Sequence, residues 1–338
     1  MINQQVNQLV QSFKVKIKHM RIVKSGVYRL KSTDGKQHCL KKMNYTLRRL
    51  RWMDQVLRRI RHQGFSNIAW RNPHEHSGRH LYARRPRGGT PYILTPWIKG
   101  RSPSPASQKD VKACAATLAR FHLAGRKAVL PRAGALNMLR KWPSLLQARE
   151  ALLKKQINKA KRNGHGSPMD RLLQVHGDSL LQRSQEALRI LRRSNYKTAC
   201  KMAANTGALC HGDSGPKNFV LTSSGTYMID FETLRFDLRA YDLFRMIRLS
   251  CKNKGWKLST ARSVLDGYQS VSKLEHLDIE LIKVWLQFPN KAFKLLSRYD
   301  RSKAEGKRKI ERSLEKVMAD ERHIISFLHK LSQYVQKG

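Results

Sequence analysis

Acids are scarce in this sequence. Its 338 residues carry 23 Asp and Glu against 68 Lys and Arg, a formal net charge of +45 at pH 7. Between Met1 and Gly64 the only acids are Asp34 and Asp54, and no glutamate precedes Glu75. This imbalance points to polyanions as partners: nucleic acid, anionic lipid, acidic or phosphorylated protein, or phosphate-bearing ligands. Cysteine is sparse as well. The five cysteines are odd in number, scattered and never spaced Cys-x-x-Cys, which argues against a disulfide framework or a zinc site. Reduced, intracellular thiols are the natural reading. No apolar run approaches membrane-spanning length, and the opening MINQQVNQLVQSFKVKIKHM lacks the apolar core of a signal peptide. Synthesis and retention inside a cell is the expectation.

What is present suits a folded chain. Hydrophobic residues make up 40% of it, enough for a sizeable core, and the length allows one large two-lobed domain or two ordinary ones. Apolar and basic residues alternate through FKVKIKHMRIVKSGVYRLKSTDGKQHCLKKM around a turn at Thr33 to Lys36. This predicts a hairpin, with Val27 and Tyr28 in one strand and His38 to Lys41 in the next. Leu47, Leu50, Val56, Leu57 and Ile60 follow at helical spacing, with Gly64 as the stop. RHLYARRPRGGTPYILTPWIKGR reads as strand, turn, strand, and KDVKACAATLARFHLAG as a helix. From Leu136 to Met202 the pattern is helical with a break at RNGHGSPMD; after Asp242 it is helical again. The prediction is an α+β chain: a β-rich N-terminal part with one helix, a mainly helical C-terminal part, and a joint near Leu94 to Arg101.

His-Gly-Asp occurs twice. The copy at His176 to Asp178 lies in a helical run of leucines with no strand after it, so it reads as a polar helix face or a capped helix start. The copy in LCHGDSGPKNFVLTSSGTYMIDFETL differs. Asp213 is followed by a tight Gly215-Pro216 turn, Asn218 stands five residues on, and a short hairpin returns the chain to Asp230. Phosphoryl transfer needs this arrangement. One acid orients the acceptor hydroxyl and takes its proton, while Asn and a second Asp hold the magnesium that bridges the phosphates of ATP. That chemistry also calls for a lysine on an upstream strand, and HCLKKM offers Lys41 and Lys42, of which strand alternation turns one inward.

CHGDSGPKNFVL, YMIDFE and AYDL resemble the aminoglycoside phosphotransferase and choline kinase branch of the protein-kinase-like fold. GVYRLKSTDGKQHCLKKM, RRIRHQGFSNI, YILTPWIKGR, ATLARFHLAG and LRRSNYKTA are similar, within it, to the CotS-type spore-coat proteins of endospore-forming bacteria. The resemblance implies a two-lobed protein-kinase-like fold: an N-terminal lobe over 1–94, a hinge over 95–101, and a helical lobe over 102–338 with its catalytic loop at 211–218. It further implies Asp213 as catalytic base with His211 supporting the loop, Asn218 and Asp230 as magnesium ligands, and Lys41 as the ATP lysine. Asp242 would brace the catalytic loop. LTPWIKG, with Leu94 and Trp97, would lie beside the adenine. One departure stands out. Kinases pair the strand lysine with a glutamate on the first helix, and here the helix offers only Asp54, which is either a shorter substitute or a solvated partner of Arg51 or Arg58.

Two functions of different class follow. One is an ATP- and magnesium-dependent phosphotransferase acting on a hydroxyl acceptor; the other is a structural spore-coat protein that keeps the fold with little or no catalysis. The charge suits anionic spore-coat proteins or other polyanions as partners. No zinc-finger spacing or RNA-recognition signature supports a nucleic-acid role, and the basic residues are spread rather than focused.

Overall fold

The computed structural model describes residues 4–72, 74–85, 88–128, 130–164 and 166–336. It begins with a helix that corrects the expectation of a single helix in the N-terminal part. In α1 (Gln4–Gln11) and the turn after it, Val6, Leu9, Val10 and Phe13 fall at i, i+3, i+4 and i+7, and all four are buried. They pack on one face of an antiparallel sheet made from β1 (Ile17–Lys24), β2 (Val27–Ser32), β3 (Gln37–Lys42), β4 (Ala83–Arg85) and β5 (Gly88–Pro96). The strand order is β1-β2-β3-β5-β4. The hairpin at Thr33 to Lys36 joins β2 and β3 as predicted, and the strand, turn, strand expected over RHLYARRPRGGTPYILTPWIKGR supplies β4 and β5, with Pro86 and Arg87 outside the described residues.

Alternation decides which lysine faces inward. Leu40 pairs with Leu94, and both side chains join Leu30 in the layer under α1. The residues beside them, Cys39, Lys41, Ile93 and Thr95, therefore point to the opposite face, where they line a cleft. Lys41 faces the cleft and Lys42 is exposed.

Helix α2 (Leu47–His62) starts where the Thr46 hydroxyl accepts from the Arg49 N–H and ends before Gly64, whose φ is +85°. Its buried face, including Leu50, Met53, Val56 and Ile60, belongs to the large core shared with the helical part. That part runs α3 (Gln108–Lys127), α4 (Trp142–Arg162), α5 (Pro168–Arg193), α6 (Tyr196–Thr206), then β6 (Leu209–Cys210), β7 (Phe219–Thr222), β8 (Gly225–Met228) and β9 (Arg235–Phe236). It closes with α7 (Arg239–Cys251), α8 (Leu258–Gln269), α9 (His276–Gln287), α10 (Asn290–Tyr299), α11 (Ala304–Glu321) and α12 (Ile324–Gln336). Between β5 and α3 the chain is stitched to β7, because the Arg101 and Leu221 backbones bond reciprocally at 3.0 and 2.9 Å. Gly100 permits this approach: a Cβ there would stand 2.3 Å from the Leu221 carbonyl oxygen.

The upstream His-Gly-Asp lies in the middle of α5, so it is a polar helix face and not a helix start. Asp178 is exposed and pairs with Lys161 at 2.7 Å, and the buried Gly177 lets α5 approach Ile157 of α4. A tighter contact joins α3 and α8. A Cβ on Gly267 would sit 2.5 Å from the Lys112 carbonyl oxygen and 2.7 Å from its Cα. Alanine favours a helix over glycine by about 1 kcal/mol, but the clash is with backbone. Gly267→Ala should therefore lower stability by about 1–3 kcal/mol net, read as a fall in the urea midpoint at constant slope. An unchanged midpoint would mean that the two helices can part at no cost. No helix among the described residues is long and apolar enough to cross a membrane.

Candidate active site

The loop after β6 is held from below by one buried carboxylate. Asp242, on the first turn of α7, accepts the backbone N–H groups of His211 at 2.7 Å and Gly212 at 2.8 Å. It also accepts from His122 Nε2 at 3.0 Å, while the Tyr268 hydroxyl donates to the other ring nitrogen at 2.8 Å. Burial lowers the His122 pKa, so the ring serves as a neutral imidazole with both nitrogens used. Burial alone would raise the pKa of Asp242, but the bonds from His122 and the loop amides outweigh it and keep the carboxyl below its usual range. Gly212, at φ +83°, is where the loop turns. A Cβ there would meet the Thr233 carbonyl oxygen at 2.4 Å. His211 lies fully buried under the loop: Nε2 donates to the Ile229 carbonyl at 2.9 Å and Nδ1 accepts from the Asp213 N–H at 3.3 Å. Its ring therefore supports the loop and does not face the cleft.

Asp213 is the carboxylate this scaffold presents. Asn218 Nδ2 donates to its backbone oxygen at 2.6 Å and to Oδ2 at 3.0 Å. Arg245 of α7 binds Oδ1, and Lys217 stands 3.2 Å from Oδ2. Burial pushes the Asp213 pKa up, but Arg245 and then Lys217 overcome it and hold the group at about 2. The amide of Ile229 donates to the Asn218 carbonyl at 3.0 Å, which ties the two sides of the β7–β8 hairpin together beside Asp230. Asp230 itself has φ +64°, an uncommon conformation for a side-chain-bearing residue and one that recurs at functional sites. Lys41 reaches across from β3 to Asp230 Oδ1 at 2.7 Å and Glu232 Oε1 at 2.9 Å. Burial would lower the lysine pKa; the two carboxylates outweigh it and raise it.

Above these groups lies a slot of about 240 Å³ with apolar walls, among them Val27, Cys39, Met43, Ile93 and Trp97. Lys41, Asp230 and Glu232 are part of its lining. Arg29 covers the Trp97 ring, with its guanidinium carbon 4.8 Å from the ring centroid.

Two sequence expectations are corrected here. The Leu94 side chain belongs to the layer under α1, so it does not line the slot; strand alternation gives that place to Ile93 and Thr95. Asp54 does not approach Lys41, nor is it solvated by Arg51 or Arg58. It is buried, bound by both Nη2 and Nε of Arg71, the latter at 2.7 Å, and by Trp70 Nε1 at 2.9 Å. The carboxylate that partners Lys41 from outside the predicted set is Glu232, and the cations that partner Asp213 are Arg245 and Lys217. Glu232 lies within YMIDFE and Arg245 two residues after AYDL, and nothing in either motif marks the distant group it binds.

Residues 24–273 match the pattern of the phosphotransferase enzyme family. Spore coat protein S of Bacillus subtilis (strain 168) is 25% identical over 165 residues, which meets the expected spore-coat resemblance. That alignment takes in 48% of this chain and 47% of the relative, so the match spans about half the relative's length. Among solved structures, an aminoglycoside phosphotransferase from Alicyclobacillus acidocaldarius superimposes with a TM-score of 0.79 at 20% identity, covering 100% of this chain and 97% of that one. Aminoglycoside 2'-phosphotransferase-IIIa in its GDP complex gives 0.62 at 16% identity, covering 95% and 99%. Spectinomycin phosphotransferase with ADP and spectinomycin gives 0.61 at 12%, covering 97% and 98%. These structures share its kinase-like fold of a small sheet and a larger helical part. By the extent of the sequence match, the chain belongs to the phosphotransferase enzyme family.

Proposed function

We propose that this protein is an ATP- and magnesium-dependent phosphotransferase acting on a hydroxyl acceptor and associated with the bacterial spore coat. One observation carries the reading: Lys41 and Asp230 meet in the wall of an apolar slot, while Asn218 links Asp230's hairpin to Asp213. The donor set fits a hard cation. Asn218 spends its amide nitrogen on Asp213, which leaves its oxygen for a ligand, and Lys41 uses only one oxygen of Asp230. Asn218 and Asp230 would hold the magnesium, and its bound charge would neutralise the phosphates. Lys41 would pair with the α and β phosphates, and Glu232 would keep that ammonium charged and aimed. Trp97 would flank the base from a hinge at 95–101, between lobes at 1–94 and 102–338. Asp213 would orient the acceptor hydroxyl, its two cations fixing its position.

A second reading has support in one detail. A carboxylate held at about 2 by Arg245 and Lys217 is a weak proton acceptor, which suits a scaffold with little or no catalysis. Under either reading the basic surface would attach the protein to anionic coat components or other polyanions, an attachment that salt would weaken.

ATP with magnesium should raise the melting temperature by mass action. Asp230→Asn should erase that shift and leave the unliganded melting point nearly unchanged, because Asn tolerates the left-handed backbone and Lys41 keeps Glu232. A wild-type protein indifferent to millimolar ATP would sink the proposal.

A further inference from the structure

We propose that the hydroxyl acceptor is itself an anion: a small phosphate-bearing compound of sugar-phosphate size, held in a basic cavity beside α7. The proposal rests on the phosphotransferase reading for its reaction, while its chemistry comes from a cavity that shares no lining residue with the nucleotide slot.

This second cavity measures about 440 Å³ and lies between α7, α10 and α11. Two residues join it to the catalytic loop. Arg245 lines it and also binds Asp213, and Leu249 lines it while seating against Gly215, where a Cβ would come within 2.4 Å of the leucine. A molecule in the cavity is thus next to the carboxylate that would orient its hydroxyl.

Its walls are overwhelmingly cationic, and the charges are not balanced from within. The arginines have partners: Arg149 donates to Asn290 Oδ1 at 2.8 Å, Arg245 to Asp213, and Arg248 to Glu321 at 2.6 Å. The acids are equally committed. Glu321 also takes Arg183 at 3.0 Å, and Asp320 accepts the Asn253 N–H at 2.6 Å. Lys252, Lys291, Lys294 and Lys316 remain, and among the described residues no carboxylate pairs with any of them. Burial, and then the neighbouring positive charges, lower the pKa of both Lys252 and Lys294. Packed like charges repel, and an incoming anion with several acceptor oxygens relieves that repulsion while making charge-assisted hydrogen bonds. Trp142 and Tyr241 stack with centroids 4.9 Å apart and, with Phe244, give the cavity an apolar side for the body of the molecule. A polycationic acceptor would be repelled by a field of its own sign.

The reaction balances without another reagent. The acceptor hydroxyl oxygen forms a bond to the terminal phosphorus of the nucleoside triphosphate, the bond to the bridging oxygen breaks, and the nucleoside diphosphate leaves. The hydroxyl proton passes by way of Asp213 to water.

Calorimetric titration of the full chain with glucose 6-phosphate and ribose 5-phosphate, against glucose and ribose, tests this. The sugar phosphates should bind at least about tenfold tighter than the sugars, the size expected of a few hydrogen bonds to charged groups. The Lys252→Gln/Lys294→Gln variant should lose that preference while its ATP-induced melting shift stays as in wild type. Equal binding of sugar and sugar phosphate, or a preference unchanged in the double variant, overturns the proposal. If the preference holds but ATP does not bind, the anion site stands and the phosphotransferase reading falls.

Discussion

Asp213→Asn should abolish phosphoryl transfer and leave ATP binding intact. The substituted amide keeps the shape of the side chain but cannot accept the acceptor's proton, and general-base assistance is worth on the order of a hundred- to ten-thousand-fold. The nucleotide side of the cleft keeps its main contacts, because Lys41 bonds Asp230 and Glu232 without Asp213 and Asn218 can still donate to the backbone oxygen at position 213. The variant should therefore show the wild-type ATP-induced melting shift with turnover lost, measured as magnesium-dependent ATP hydrolysis and transfer. Turnover that survives the substitution would mean that Asp213 is a structural carboxylate and not the base, whereas a wild-type protein without turnover would favour the scaffold reading. The pH dependence separates the two roles further. With its pKa at about 2, Asp213 is ionised throughout the neutral range, so no acidic limb of activity near pH 4 to 5 should come from it. Its folded-state pKa lies below the ordinary value of 3.8. Its contribution to stability is thus complete above that value and is lost as the pH falls from about 4 toward 2.

Much of this site was legible because it is local. Asp213, Asn218 and Asp230 are joined by a turn and a two-stranded hairpin, so their spacing alone brings them together. Lys41 was separable from Lys42 only once the sheet register placed Leu40 under α1. A one-residue shift in a strand exchanges its two faces, so Leu94, which the resemblance puts beside the adenine within LTPWIKG, turns its side chain under α1 while its neighbours Ile93 and Thr95 face the slot. Helix α1 carried a readable i, i+3, i+4, i+7 signal in Val6, Leu9, Val10 and Phe13, but it is only eight residues long and has no acid in its first turn or base in its last. The partners of Lys41 and Asp213 are a different matter. Glu232 and Arg245 are distant in sequence from the groups they bind, and only tertiary structure brings them there.

Arg71→Met should cost about 3–5 kcal/mol of stability, because it strands the Asp54 carboxylate in the core. The pair is well shielded, with side-chain exposures of 8% for Arg71 and 6% for Asp54. The arginine also donates to the Gly78 carbonyl at 2.6 Å, so its loss unties the irregular segment between α2 and β4. The double variant Asp54→Leu/Arg71→Met should recover part of the loss, since removing both charges spares the protein a lone buried ion. Recovery should be incomplete, because the Trp70 indole N–H and the Gly78 carbonyl would both lack their present partners. The two variants also decide what replaced the helix glutamate. If Glu232 holds Lys41, ATP should raise the melting temperature of each variant by the wild-type increment, however low its starting point. If that increment shrinks while unliganded stability is untouched, Asp54 would be serving Lys41 after all, and the partner of the strand lysine would lie on α2.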